Sequence, residues 1–253
     1  MKPAALAAFK DMTGKLEGAN LHHMYIDMHR DAAGNLDRLV TTGTGNLIDP
    51  MSEALRLPWR RPDGSLATQD EIAADWTAIK NFHEDNPTGG NSAAQQAVTT
   101  LRLDQAALDD IFNARLALNE KNLRQLAPQY DSWPAAAQVG INSMAWAMGT
   151  GNVATFHNFL AAVNRLSPDF TTAATESHIR NASVARNTDT AQLFNEAASV
   201  LSQNLDPNTI FFPGPVLAGA AGAVGVGSGF LAALAGLAGI GMVYYGYTQI
   251  SKK

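Results

Sequence analysis

One stretch constrains this chain more than any other. Residues 135–149, AAAQVGINSMAWAMG, carry no charge and are apolar on nearly every side. A helix without a polar face has no place at a protein surface. It belongs at the centre of a domain, and the rest of the chain has to be arranged around it. The preceding Ser132-Trp133-Pro134 offers a Ser N-cap and a Pro in the first turn. Gly149 and Gly151 are its stop signals.

Several amphipathic segments can pack on such a centre. Residues 4–17 place Leu6, Phe9, Met12 and Leu16 on one face of a short helix, which Gly18 and Asn20 end. Thr68-Gln69-Asp70-Glu71 is a capping box, and Ile72, Trp76, Ile79 and Phe82 form an apolar stripe behind it. Residues 104–126 repeat the pattern with Leu108, Ile111, Phe112, Leu116 and Leu123, until Pro128 stops it. Three shorter helical patterns follow at 153–164, 169–180 and 188–203. Pro- and Gly-rich loops are expected after Met51, in LPWRRPDGS, and at 86–92, NPTGGNS.

Extended signals appear only near the start. Met24 to Asp27 and Leu39 to Thr42 are the two arms of a hairpin, with a turn at Ala32-Ala33-Gly34-Asn35 and a tight Gly43-Thr44-Gly45-Asn46 turn after it. Tyr25, Asp27, His29 and Asp31 alternate onto one face, which by pattern alone is a solvated polar face. The 253 residues therefore suggest an α+β chain: a small β lobe beside a larger helical one.

Charge narrows the partners. Two of the 18 basic residues, Lys252 and Lys253, end the chain, so residues 1–206 hold 16 basic against 23 acidic side chains, a net of −7. Such an acidic body argues against nucleic acid, whose phosphates need neutralising cations. There is no Cys, so disulfides and thiolate metal sites are excluded. No two of the six His stand at i, i+4, and neither a metal nor a cofactor is expected. The Gly-x-Gly-x-x-Gly and Gly-x-Ser-x-Gly motifs are also absent.

The chemistry-bearing residues cluster between 17 and 46. A helix ending in the Glu17 carboxyl precedes a hairpin that carries Asp27 and Thr41. Paired carboxyls of this kind suit cleavage of a sugar polymer, one protonating the leaving oxygen and the other acting on water or on the cationic sugar. Thr41 can orient water but is no strong base, so Asp27 is needed for that. Burial at the helix end would favour the protonated form of Glu17. The alternative for Thr41-Thr42 is a pair of β-branched strand formers and nothing more.

The segment Glu17…Tyr25-Ile26-Asp27…Gly34…Thr41-Thr42-Gly43-Thr44-Gly45-Asn46-Leu47 resembles the active-site segment of phage-type lysozymes, glycoside hydrolase family 24. Ile141-Asn142-Ser143-Met144-Ala145-Trp146-Ala147-Met148-Gly149 is similar to that family's buried central helix, and Asn181-Ala182-Ser183-Val184-Ala185-Arg186 to its late Asn-x-x-x-x-Arg segment. Tyr130-Asp131-Ser132 matches more weakly. The ordered set covers roughly residues 5–200. It implies a lysozyme-like fold and hydrolysis of the β-1,4 bond between N-acetylmuramic acid and N-acetylglucosamine in peptidoglycan. Glu17 would be the general acid, with Asp27 and Thr41 holding the attacking water. Tyr25, Asn181 and Arg186 would bind or support, Arg186 by pairing with Glu17 and so favouring its carboxylate. Three departures stand out: a Glu17–Asp27 gap one residue longer, which makes Asp31 a rival to Asp27; a longer hairpin; and Asn46 where the family has His, which should cost an ion pair.

The end of the chain is different in kind. Residues 207–251 contain no charged residue, and 213–247 are 35 uncharged, mostly apolar positions. A spanning helix needs about 20. Phe230–Tyr247 is the stronger half, with Tyr244, Tyr245 and Tyr247 as an interfacial belt before the lysines. Val216–Gly229 is rich in Gly and Ala, which permit close helix packing, and Gly227-Ser228-Gly229 offers the turn of a helical hairpin. The expectation is a lysozyme-like domain at 1–205 and an apolar tail at 206–253 that contacts a lipid membrane. The start, MKPAALAAFKDMTGK, is not a signal peptide, so delivery to the periplasm or wall would fall to lysis, a secretion machine or the tail. Two alternatives are a membrane-perturbing toxin and a binding protein on a catalytically inactive lysozyme fold.

Overall fold

The computed structural model describes residues 1–17, 20–30, 36–82, 93–180 and 182–211; of residues 29, 30 and 36 it describes the backbone. The turn expected at 32–35, the rival Asp31, the loop at 86–92, Asn181 and the apolar tail from 212 onward lie outside the described residues. Within them the chain is mixed α+β, with ten α-helices and one three-stranded antiparallel sheet.

Helix α1 (Pro3–Glu17) buries Ala5, Phe9 and Thr13, while Leu6 and Met12 pack partly against the same core. Strands β1 (Leu21–Arg30), β2 (Leu36–Gly43) and β3 (Asn46–Leu47) follow, in the order β1-β2-β3. The hairpin is thus longer than its two apolar runs, and β3 adds a short third strand on the far side of the Gly turn. That turn needs glycines: Gly43 and Gly45 stand at φ +59° and +75°, which side chains with a Cβ disfavour.

Helices α2 (Met51–Ala54), α3 (Gln69–Asn81) and α4 (Ala93–Val98) complete the smaller lobe. The capping box is present at the start of α3: the Glu71 N–H donates to the Thr68 hydroxyl, and the Glu71 carboxylate accepts from the Thr68 N–H at 2.7 Å. Helix α5 (Gln105–Leu126) is capped by Asp104, whose carboxylate accepts from the Ala107 N–H. Its first turns bury Ala107 and Leu108 in a core with Met24, Ile26, Val40, Trp59, Ile72 and Ile79. Its later turns bury Phe112, Leu116 and Leu123 in a second core. At about 1.5 Å per residue this one helix runs through both.

A 3-10 turn at Tyr130–Ser132 leads into α6 (Ala135–Met148). Every residue from Ala135 to Trp146 is buried, as a helix without a polar face requires. Its N-cap is Pro134, not Ser132, whose hydroxyl is spent on the Gln129 carbonyl inside the 3-10 turn. Helices α7 (Thr150–Val153), α8 (His157–Val163), α9 (Phe170–Glu176) and α10 (Val184–Ser202) follow; α7 and α10 pack on α6, as α1 and α5 do, while α8 packs on α9 and α9 on α10. Beyond α10 the chain stays on this lobe: the Pro207 carbonyl accepts the Ala135 N–H at 2.8 Å, and Ile210 packs on the core. Among the described residues no helix is long and apolar enough to cross a membrane.

Candidate functional site

Glu17 is the last residue of α1, where that helix leaves the helical core for the sheet. Its side chain is three-quarters buried, with 25% exposure. Its Oε1 accepts from the Arg186 guanidinium, which is itself only 8% exposed. Arg186 sits in the first turn of α10, whose start is capped by Ser183. A second guanidinium nitrogen of Arg186 faces the backbone carbonyl of Ser143 on α6 at 3.2 Å. The partnership thus joins α1, the central helix and α10.

The other Glu17 oxygen looks toward the Gly turn. A Cβ placed on Gly45 would stand 3.6 Å from Oε2, an ordinary contact, so the turn lies directly beside the carboxylate and it is the positive φ of Gly45 that favours glycine there. The Gly45 peptide is held on both sides. Its N–H donates to the Tyr25 hydroxyl at 3.1 Å, and its carbonyl accepts from Arg115 at 2.5 Å. The Trp146 indole N–H of α6 donates to the neighbouring Thr44 carbonyl at 3.3 Å.

Strand register places the remaining residues. Tyr25 lies opposite Thr41 and Asp27 opposite Leu39. Between Leu21 and Tyr25, β1 spends four residues where β2 spends two. This irregularity takes up extra length in β1 ahead of Tyr25 and Asp27, and the two keep a common face by alternation. The Thr42 hydroxyl fills the gap by donating to the His23 carbonyl at 3.1 Å. Tyr25 is buried rather than solvated, because the Gly turn supplies a partner for its hydroxyl; Asp27 is exposed. Thr41 is 2% exposed, and its hydroxyl donates to the Leu39 carbonyl at 3.3 Å.

The electrostatics gather on Tyr25. Burial pushes its phenol well above the ordinary value of 10.0, and the Asp27 charge adds to this. The Gly45 N–H acts the other way, Glu17 raises it further and Arg115 lowers it. Both carboxylates therefore act on one hydroxyl. Arg115 is pushed below its ordinary value by burial and pulled back up by Glu17 and Tyr25.

The weaker Tyr130 motif meets Asn142 of the central helix deeper in the lobe. The Asn142 amide donates to the Tyr130 hydroxyl at 2.8 Å, which donates to Glu120 at 2.7 Å. Burial, reinforced by Glu120, raises that phenol as well. Asn46 is buried, and its Oδ1 has no hydrogen-bond partner among the described residues. The turn is tied to α5 by Arg115 instead.

The structure therefore brings together Glu17, Tyr25 and Arg186, places Thr41 opposite Tyr25 in the sheet, and sets Asp27 on the same strand face at the surface. Arg115, Ser143 and the Gly45 backbone are additional parts that motif reading missed. Arg115 had a signal: positions 108, 112, 115 and 119 follow helical steps, and Leu108, Phe112 and Asn119 are buried. Among the described residues no group of three or more His, Asp or Glu is placed to hold a metal ion. No protein-family model and no curated protein matches this chain.

Proposed function

We propose that this chain is a lysozyme-like muramidase that cleaves the β-1,4 bond between N-acetylmuramic acid and N-acetylglucosamine in peptidoglycan. The observation that carries the reading is the Glu17–Arg186 pair, which closes across 169 residues and sets a carboxyl at the mouth of the Tyr25–Gly45 turn. Residues picked by motif from distant parts of the chain meet as a carboxyl with a supporting guanidinium, which is the arrangement a reacting acid would need. Arg186 holds Oε1, which leaves Oε2 to give its proton to the leaving glycosidic oxygen. Exposed Asp27 then holds and activates the attacking water, with Thr41 opposite Tyr25 completing its orientation. Tyr25, a neutral phenol tied to Gly45, keeps the turn at the carboxylate.

Purified sacculi treated with the full chain should release soluble muropeptides. Glu17→Gln should lose that release; it also removes the charge partner of buried Arg186, so both proteins are assayed well below the variant's melting temperature. Release by Glu17→Gln at the wild-type rate would contradict the assignment.

A second reading, a glycan-binding protein on an inactive lysozyme-like fold, is favoured by the burial of Thr41 and the use of its hydroxyl proton within the strand. It predicts that wild-type protein pellets with sacculi and releases nothing. For residues 213–247 the proposal is membrane association, supported by their uncharged apolar composition.

A further inference from the structure

A buried guanidinium must have partners, and Arg115 has unusual ones. Its Nη1 donates to the Gly45 carbonyl at 2.5 Å and its Nη2 to the Trp146 carbonyl at 2.8 Å. Its guanidinium lies 4.0 Å over the Trp146 ring. Among the described residues it forms no ion pair within 4.0 Å; its direct partners are two backbone carbonyls and an aromatic face, and the Glu17 charge acts on it from farther off. The Trp146 carbonyl lies in the last turn of α6, where a cation is electrostatically favoured.

We propose that Arg115 is a positioning residue: it locks the Gly43–Asn46 turn onto the central helix and thereby fixes Gly45 beside Oε2 of Glu17. The three groups adjoin: a Cβ on Gly45 would stand in ordinary contact with both Glu17 Oε2, at 3.6 Å, and Arg115 Nη1, at 3.9 Å. Tyr25 holds the N–H of the same residue from the sheet, while Arg115, together with the Trp146 indole on the Thr44 carbonyl, anchors the turn to the helical lobe. The clamp needs two diverging N–H donors on a planar group that also stacks. A lysine ammonium offers the charge without the fork.

The catalytic consequence rests on the muramidase reading, and the clamp itself does not. The full-length protein should therefore be compared with Arg115→Lys, Arg115→Met and Gly45→Ala by two readouts. The first is hydrogen exchange of the Gly45 amide relative to amides within α5. Loss of the clamp should speed it about tenfold or more in both Arg115 variants. The second is kinetics on soluble glycan strands: kcat should fall about 10–100-fold with KM within about threefold, the signature of a misplaced reacting group. Combining Arg115→Met with Gly45→Ala should cost no more than the worse single change, because both act through one turn. Unchanged Gly45 exchange, full rescue by Lys, or multiplying losses in the double variant would each overturn the proposal. If Arg115→Met does not fold, the charge-retaining Lys variant decides. If wild type releases no muropeptides while Gly45 exchange still accelerates, the muramidase reading fails and the clamp stands. An active wild type with equally active Arg115 variants would mean the reverse.

Discussion

At the scale of single residues, the site is a set of unequal roles. Asp27 faces solvent and Thr41 does not, so their removal should differ in kind. Asp27→Asn should lower the rate of wall hydrolysis by orders of magnitude at unchanged stability. Asp31→Asn should cost little, and the reverse order in a muropeptide-release assay would exchange their roles. The buried phenols supply a pH prediction. Tyr25 and Tyr130 are both raised above 10.0 in the folded protein, so the folded state keeps their protons after the unfolded chain has lost them. Stability conferred by each is complete below about pH 10 and falls as pH rises further, by about 1.4 kcal/mol per pH unit per phenol. Tyr25→Phe should halve that alkaline slope in urea melts, and an unaltered slope would contradict the burial argument. Glu17, Tyr25, Thr41 and Arg186 were legible because their order and spacing form a pattern. Arg115 was not, since a charged residue in an amphipathic helix normally lies on its solvated face. Tyr25 misled by alternation alone, because its partner is a backbone N–H twenty residues away.

Elements follow from simpler rules. The central helix was readable because fifteen uncharged, mostly apolar positions leave no solvent face, and α3 because its cap is spelled out in Thr68 and Glu71. The two-residue β3 and the six-residue α4 were not, since such short segments show no period. What α6 requires is close approach. A Cβ on Gly140 would meet the Phe194 ring of α10 at 3.0 Å. Gly140→Ala should therefore destabilise by about 1–3 kcal/mol through overpacking, despite the better helix propensity of Ala. Chemical denaturation would measure it, and a stabilised variant would show that α10 yields freely. This packing also governs the site, because Arg186 reaches Glu17 from the same helix that Phe194 presses on α6.

On the scale of the whole molecule, the two hydrophobic cores are joined by α5, and the candidate site lies where α1, the sheet and α6 come together. The membrane contact proposed for residues 213–247 is tested separately. A charge at the centre of a spanning helix costs about 2.5–3.5 kcal/mol on insertion scales. Ala235→Lys with Gly239→Lys, or truncation after Phe212, should move the protein from the membrane fraction to the soluble one and keep hydrolysis of sacculi. Truncation here spares Pro207 and Ile210, which hold onto the helical lobe. If wild type is already found in the soluble fraction as a monomer, the membrane proposal fails.

The muramidase reading makes one chemical commitment that no binding protein or membrane toxin shares, namely which sugar carries the new reducing end. Sacculi digested by the full chain and then reduced with borohydride should yield muropeptides ending in N-acetylmuraminitol. Glu17→Gln digests should yield none above the untreated control. Fragments ending in N-acetylglucosaminitol, or muraminitol ends at equal rates from wild type and Glu17→Gln, would contradict the account.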